Sequence, residues 1–71
     1  MNEREMIAAL EQALESAKNA ELDTGYAQGY FEVGEWLLAL EELEYTAEKN
    51  LEFERIYSKT FRSIRAYFDE G

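Results

Sequence analysis

The chain has 71 residues, a formal net charge of −9, and neither cysteine nor histidine. A chain of this length forms one small domain, residues 1–71, with a marginal core. Its charge argues against direct binding of nucleic acid or an anionic membrane, since both attract basic proteins. The missing thiol and imidazole groups exclude disulfides, Cys/His zinc sites and Ser–His or Cys–His nucleophiles. We therefore expect a binding protein without cofactor or metal, and not an enzyme.

The first predicted helix runs from about Glu3 to Ala20. Asn2 and Glu5 have the spacing of a capping box, which marks a helix start. Apolar residues then recur at intervals of three and four, which places them on one side of a helix: Met6, Ile7, Leu10, Ala13, Leu14 and Ala17. The pattern predicts an amphipathic helix with its apolar side in a core.

Residues 18–34 give a weaker pattern. A loop is indicated by a group of polar and small residues: Asn19, Asp23, Thr24 and Gly25. A short helix is indicated after it by apolar residues at helical spacing: Tyr26, Tyr30 and Val33. Gly34 is predicted to end this helix in a left-handed conformation.

The third predicted helix runs from about Glu35 to Lys49. An apolar seam predicts its buried side, with Trp36 as an anchor of the core: Trp36, Ala39, Leu40, Leu43 and Ala47. Three glutamates beside Leu37, which we name the acidic ridge, lie one turn apart: Glu41, Glu44 and Glu48. Leu38 and Tyr45 point away from the seam, on either side of Glu42. A helix with apolar residues on two sides is typical of one that presents a side to a partner.

The fourth predicted helix follows Asn50, a candidate N-cap, and runs from about Leu51 to Asp69. Its broad core face consists of Phe53, Ile56, Tyr57, Phe61, Ile64, Tyr67 and Phe68. Basic residues lie on the opposite face, with the last at its edge: Arg55, Lys59, Arg62 and Arg65. The fold class is therefore all-α, a small bundle of three long helices and one short helix. The acidic and basic sides leave self-association as a homodimer open.

Residues 34–43 read Gly-Glu-Trp-Leu-Leu-Ala-Leu-Glu-Glu-Leu. This run resembles the MafI-type immunity proteins, small acidic helical inhibitors of bacterial polymorphic toxins. In that family a glycine–glutamate–aromatic triplet opens a helix that continues with Ala-Leu-Glu and another leucine. Gly34, Glu35 and Trp36 match the triplet, and the rest of the match is carried by Ala39, Leu40, Glu41 and Leu43. Trp36 stands where tyrosine is common, and Val33 stands where histidine is frequent.

The resemblance implies a cytoplasmic protein that binds and neutralises a cognate toxin domain, with a nuclease as the expected kind of toxin. A cytoplasmic location also fits a chain that does not open on a basic segment followed by an apolar run. The expected partner is thus a basic protein. The predicted partner-binding residues lie on the exposed side of the third helix: Leu38, Glu41, Glu42, Glu44, Tyr45 and Glu48.

Two other functions stay open on the sequence. One is an acidic inhibitor that mimics nucleic acid, such as a phage anti-CRISPR protein. The other is a helical interaction module that associates with itself. Both are compatible with an acidic helical chain of this size.

Overall fold

Three long helices and one short helix make up the part of the chain described by the computed structural model, residues 1–70. The helices are α1 (Glu3–Asn19), α2 (Ala27–Glu32), α3 (Trp36–Glu48) and α4 (Leu51–Glu70). No strand occurs within residues 1–70. The predicted all-α fold of three long helices and one short helix is therefore confirmed. None of the helices in this range combines the length and apolar content needed to cross a bilayer.

The core lies between α1, α3 and α4, and α2 packs mainly against α3. α1 contributes the strip that its apolar spacing predicts, with Met6 and Leu10 fully buried. Side chains from α3 and α4 pack against this strip: Leu40, Leu43 and Ala47 from α3, and Phe53, Phe61 and Ile64 from α4. The core is thus built from one side of each long helix, and α2 adds Ala27 to it.

The start of α1 is the capping box predicted from the sequence. The Asn2 side chain accepts a hydrogen bond from the Glu5 N–H at 2.8 Å. The Glu5 carboxylate accepts one from the Asn2 N–H at 2.9 Å. Two N–H groups that lack partners within the helix are satisfied in this way.

α2 ends at Gly34 in the left-handed conformation that the sequence predicts, with φ of 77°. The Glu35 N–H donates to the Tyr30 carbonyl at 2.9 Å, and the Gly34 N–H donates to the Phe31 carbonyl at 3.2 Å. These two bonds define a Schellman motif, in which glycine is favoured because it has no Cβ to clash.

α1 ends in the same motif, but with Glu21 at the left-handed position, where φ is 59°. The Leu22 N–H donates to the Ala17 carbonyl at 3.0 Å, and the Glu21 N–H donates to the Lys18 carbonyl at 2.9 Å. A side chain with a Cβ is strained at this φ by about 1–2 kcal/mol. The turn after α1 therefore holds strain that the turn after α2 avoids.

Exchanging the residue types at these two turns should have opposite effects on stability. We expect Gly34→Ala to destabilise the protein by about 1 kcal/mol and Glu21→Gly to stabilise it by about 0.5–1 kcal/mol. In thermal unfolding, each kcal/mol corresponds to a shift of about 4–8 °C for a domain of this size.

Gly29→Ala is the matched control, since Gly29 lies inside α2 and a Cβ there would meet nothing within 4 Å. It should stabilise the protein, because alanine is favoured over glycine in a helix. If Gly34→Ala also raised the melting temperature, the left-handed turn would not be the reason for glycine at this position.

Two residues predicted to lie in the core are less buried than expected. Ile56 was expected on the core face of α4 but is 63% exposed. It lines an open groove at the carboxyl end of α1, beside Ala20 and Leu22, so no helix covers it. Trp36 lies at the edge of the core and is half-buried, with its ring 5.2 Å from that of Phe31.

The short helix α2 and the α3–α4 connection also differ from the sequence interpretation. α2 buries Ala27 and packs Phe31 against the core, whereas Tyr26 and Val33 point outward. Asn50 lies between α3 and α4 as expected, but its side-chain amide donates to the Thr46 carbonyl at 2.8 Å. The Asn50 side chain thus caps the carboxyl end of α3. It was predicted to cap the amino end of α4 instead.

Candidate partner-binding surface

The six residues predicted to bind a partner divide into two adjacent strips on the outer part of α3. The acidic ridge faces α4, because Glu41 and Glu44 both contact Arg65. The second strip faces the loop before α2, because the Glu42 carboxylate accepts a hydrogen bond from the Tyr26 N–H at 3.0 Å. This strip consists of Leu38, Glu42 and Tyr45, at helical spacing, and we call it the tyrosine strip.

Arg65 joins α4 to the acidic ridge. Its guanidinium donates a hydrogen bond to the Glu44 carboxylate, with which it forms a salt bridge, and lies 4.0 Å from a carboxylate oxygen of Glu41. The hydrogen bond to Glu44 raises the pKa of the Arg65 guanidinium above its ordinary value. Attraction to Glu44 and Glu41 adds to the rise in pKa, and burial opposes it.

Arginine is charged throughout the physiological range at its ordinary pKa, so Arg65 is a permanent cation beside the ridge. A cation with a raised pKa stabilises the fold at every pH below its ordinary pKa and loses this effect only above the folded value. Arg65 therefore neutralises part of the negative charge of Glu41 and Glu44. Glu48 is exposed one turn further along the ridge.

Removing the Arg65 charge tests how much this contact contributes. The side chains of Arg65 and Glu44 are 37% and 32% exposed. Because solvent screens such a pair, we expect Arg65→Met to lower the free energy of unfolding by only about 0.5–1 kcal/mol. Arg55→Met is the matched control, since it removes the same charge from an exposed position on α4. In denaturant titrations in low salt, Arg65→Met should have a lower free energy of unfolding than Arg55→Met. In high salt the two values should become similar, because salt screens the ion pair. Equal stabilities in low salt would mean that the salt bridge contributes nothing.

A cleft of about 380 Å³ lies between the tyrosine strip and the loop before α2. Tyr26 and Tyr45 both line it, and they are 75% and 56% exposed. Asp23 and Glu42 line it as well. Two aromatic rings and two carboxylates are thus combined in one concave surface.

Contacts between the loop and α3 fix the shape of this cleft. Besides the bond from the Tyr26 N–H to Glu42, the Thr46 hydroxyl donates to the Asp23 carbonyl at 2.7 Å. Gly25 has φ of 58°, and a Cβ at this position would clash with the Glu42 carboxylate. Glycine therefore allows Glu42 to approach the loop closely enough to hold it.

Lys49 lies at one end of the same cleft. Its ammonium group is 4.0 Å from the centre of the Tyr45 ring, which is the geometry of a cation–π contact. Lys49 is itself exposed, so its side chain can leave the ring without opening the core.

Lys49 and Asn50 also line the neighbouring groove, which has a volume of about 560 Å³. The groove separates the carboxyl end of α1 from the amino end of α4. Its floor includes Ser16 and Tyr57, whose hydroxyl groups share a hydrogen bond. Leu51, which is 75% exposed, lies on its wall together with Ile56. Cleft and groove therefore lie side by side on one face of the molecule and share Lys49 and Asn50.

Sequence reasoning missed Tyr26, Asp23 and Lys49 as parts of this face. The contacts that bring Tyr26 and Asp23 to α3 join residues 16 or more positions apart, and helical spacing reports only neighbours on one helix. Arg65 was placed at the edge of a basic face, and its spacing gave no sign of the ridge that it reaches. The one local signal available was a tyrosine directly after the loop glycine Gly25.

In comparisons with known proteins, no family model, no curated protein and no solved structure matches this chain. Within residues 1–70, no group of three acidic side chains comes together in a form that could hold a metal ion. The candidate surface is therefore described by its own geometry: an acidic ridge partly neutralised by Arg65, and a cleft of tyrosines and carboxylates beside it.

Proposed function

We propose that this chain is an immunity protein that binds and neutralises a basic toxin domain, of which a nuclease is the expected kind. The proposal of an immunity protein rests on the resemblance over residues 34–43 alone. The observation that supports a binding role is the outer side of α3, where carboxylates stand beside exposed Leu37, Leu38 and Tyr45. An apolar or aromatic anchor with a polar rim is the usual composition of a protein interface.

Electrostatics favours a basic partner. The chain carries a net charge of −9, and α3 alone contains Glu41, Glu42, Glu44 and Glu48 but no basic residue. Nuclease domains attract phosphate with lysine and arginine, and an acidic surface is attracted by the same field. A carboxylate-bearing protein can thus compete with nucleic acid for such a domain.

The function is tested with the toxin-like protein encoded beside this gene, because an immunity gene adjoins the gene of its toxin. Co-expression should protect a bacterial host from that protein, and the two should form a one-to-one complex at micromolar concentration or below. Failure of both protection and complex formation would overturn the proposal. A stable homodimer in sedimentation that does not bind the toxin would favour the self-associating module instead.

Charge on the ridge should govern the rate of capture. We expect Glu48→Lys to slow association with the toxin by about threefold or more in low salt, with little change in dissociation. Stopped-flow measurements over a range of salt concentrations would show this, and the difference should disappear in high salt.

Glu3→Lys is the control, since it makes the same charge change at the start of α1. Glu48 is preferred over Glu41 or Glu44 for this test because lysine at either of those positions would face Arg65. If Glu3→Lys slowed capture as much as Glu48→Lys, only net charge would be involved and the ridge would not be part of the interface.

A further inference from the structure

The cleft between Tyr26 and Tyr45 has a chemistry that the acidic ridge lacks. The ridge combines carboxylates with an arginine that already pairs with them. The cleft combines two exposed aromatic rings with the carboxylates of Asp23 and Glu42. We propose that this cleft receives an arginine side chain of the partner protein. The proposal rests on the proposed function in that it takes the partner to be a basic protein.

The two carboxylates are held in position before any ligand arrives. One oxygen of Asp23 accepts the Gly25 N–H at 2.9 Å, and one oxygen of Glu42 accepts the Tyr26 N–H at 3.0 Å. The second oxygen of each carboxylate remains an acceptor for an incoming donor. Acceptors fixed by the backbone lose little freedom on binding, which favours affinity.

The two tyrosines supply the walls. A tyrosine ring presents a large apolar surface with a negative face, and tyrosines are frequent anchors at interfaces. A cation over such a ring is attracted by the ring quadrupole. The ring of Tyr45 already has the Lys49 ammonium on it, at 4.0 Å. This contact within the chain shows that the ring is accessible to a cation.

Lys49 would therefore compete with the partner for the cleft. Its contact joins residues four positions apart on a helix end and involves an exposed side chain, so displacing it leaves the core unchanged. Guanidinium is a better occupant than ammonium, because it is planar, weakly hydrated, stacks on aromatic rings and donates to two acceptors at once. Arginine is thus the expected side chain.

The first experiment uses a small probe and does not need the toxin. N-acetyl-arginine methylamide is titrated into the folded protein while the tyrosine ring signals are followed by NMR. We expect saturable shifts at Tyr26 and Tyr45, with millimolar affinity, and none with the neutral citrulline analogue. Shifts that do not saturate, or that spread evenly over the acidic surface, would overturn the proposal.

Three variants sharpen this test. Lys49→Met should tighten probe binding by about threefold, because it removes the competing cation. Glu42→Gln keeps an oxygen for the Tyr26 N–H but removes the charge, and should weaken binding by about threefold or more. Tyr45→Leu keeps an apolar side chain but removes the ring, and should also weaken binding.

Lys59→Met is the matched control for Lys49→Met, since it makes the same charge change at an exposed position of α4. It should leave probe affinity nearly unchanged. Equal tightening by the two variants would mean that net charge alone acts on the probe, and the cleft would not be an arginine site.

The probe separates this inference from the proposed function. If the chain gave no protection against the toxin but bound the probe with these variant effects, the proposed function would fail and the arginine site would stand. If the chain protected the host but the probe did not bind in the cleft, the arginine site would fail alone. In a complex with the toxin, Tyr45→Leu should speed dissociation by about tenfold or more.

Discussion

Burial of one side of α3 against α1 and α4 determines what the rest of the molecule can present. Leu40 and Leu43 are inaccessible to solvent, so the helix cannot turn about its own axis without opening the core. Successive residues of a helix are rotated by about 100°, and fixing two positions fixes all the others. The acidic ridge and the tyrosine strip face outward for this reason. In a chain without disulfides, the same few side chains provide stability and orient the surface.

Each exposed strip of α3 has a cation of its own, but the two cations are held differently. Arg65 comes from another helix, donates a hydrogen bond to Glu44 and lies near Glu41 as well. Lys49 comes from the end of α3 and only lies over a ring. Arg65 is therefore held at the ridge by a hydrogen bond and an ion pair, whereas Lys49 can be displaced from the cleft more easily. This difference makes the cleft the surface that an external cation can enter at lower cost.

Local features of the fold could be predicted from the sequence, and features that depend on distant contacts could not. The capping box at Asn2 and the left-handed Gly34 are set by neighbouring residues, and both were predicted correctly. Ile56 has the spacing of a core residue, but whether it is covered depends on where α1 ends. The side of α2 that is buried could not be judged, because six residues are too few to define a periodicity.

The same limit applies to the candidate surface. Exposure of Leu38 and Tyr45 followed from their position opposite the seam of α3, as predicted. The cleft needs the loop from Asp23 to Tyr26 to fold against α3. That approach depends on Gly25 and on hydrogen bonds between residues far apart in the chain.

The groove with Leu51 and Ile56 on its wall has a consequence for how the protein behaves at high concentration. Mutual repulsion between copies of net charge −9 acts over about 10 Å in 0.1 M salt, but over only about 3 Å in 1 M salt. Apolar attraction is not screened by salt in this way. Dilute buffer should therefore keep the molecules dispersed, and concentrated salt should bring the apolar grooves of different molecules together. At neutral pH, where the carboxylates are ionised and the net charge is −9, ionic strength should control crystallisation and precipitation.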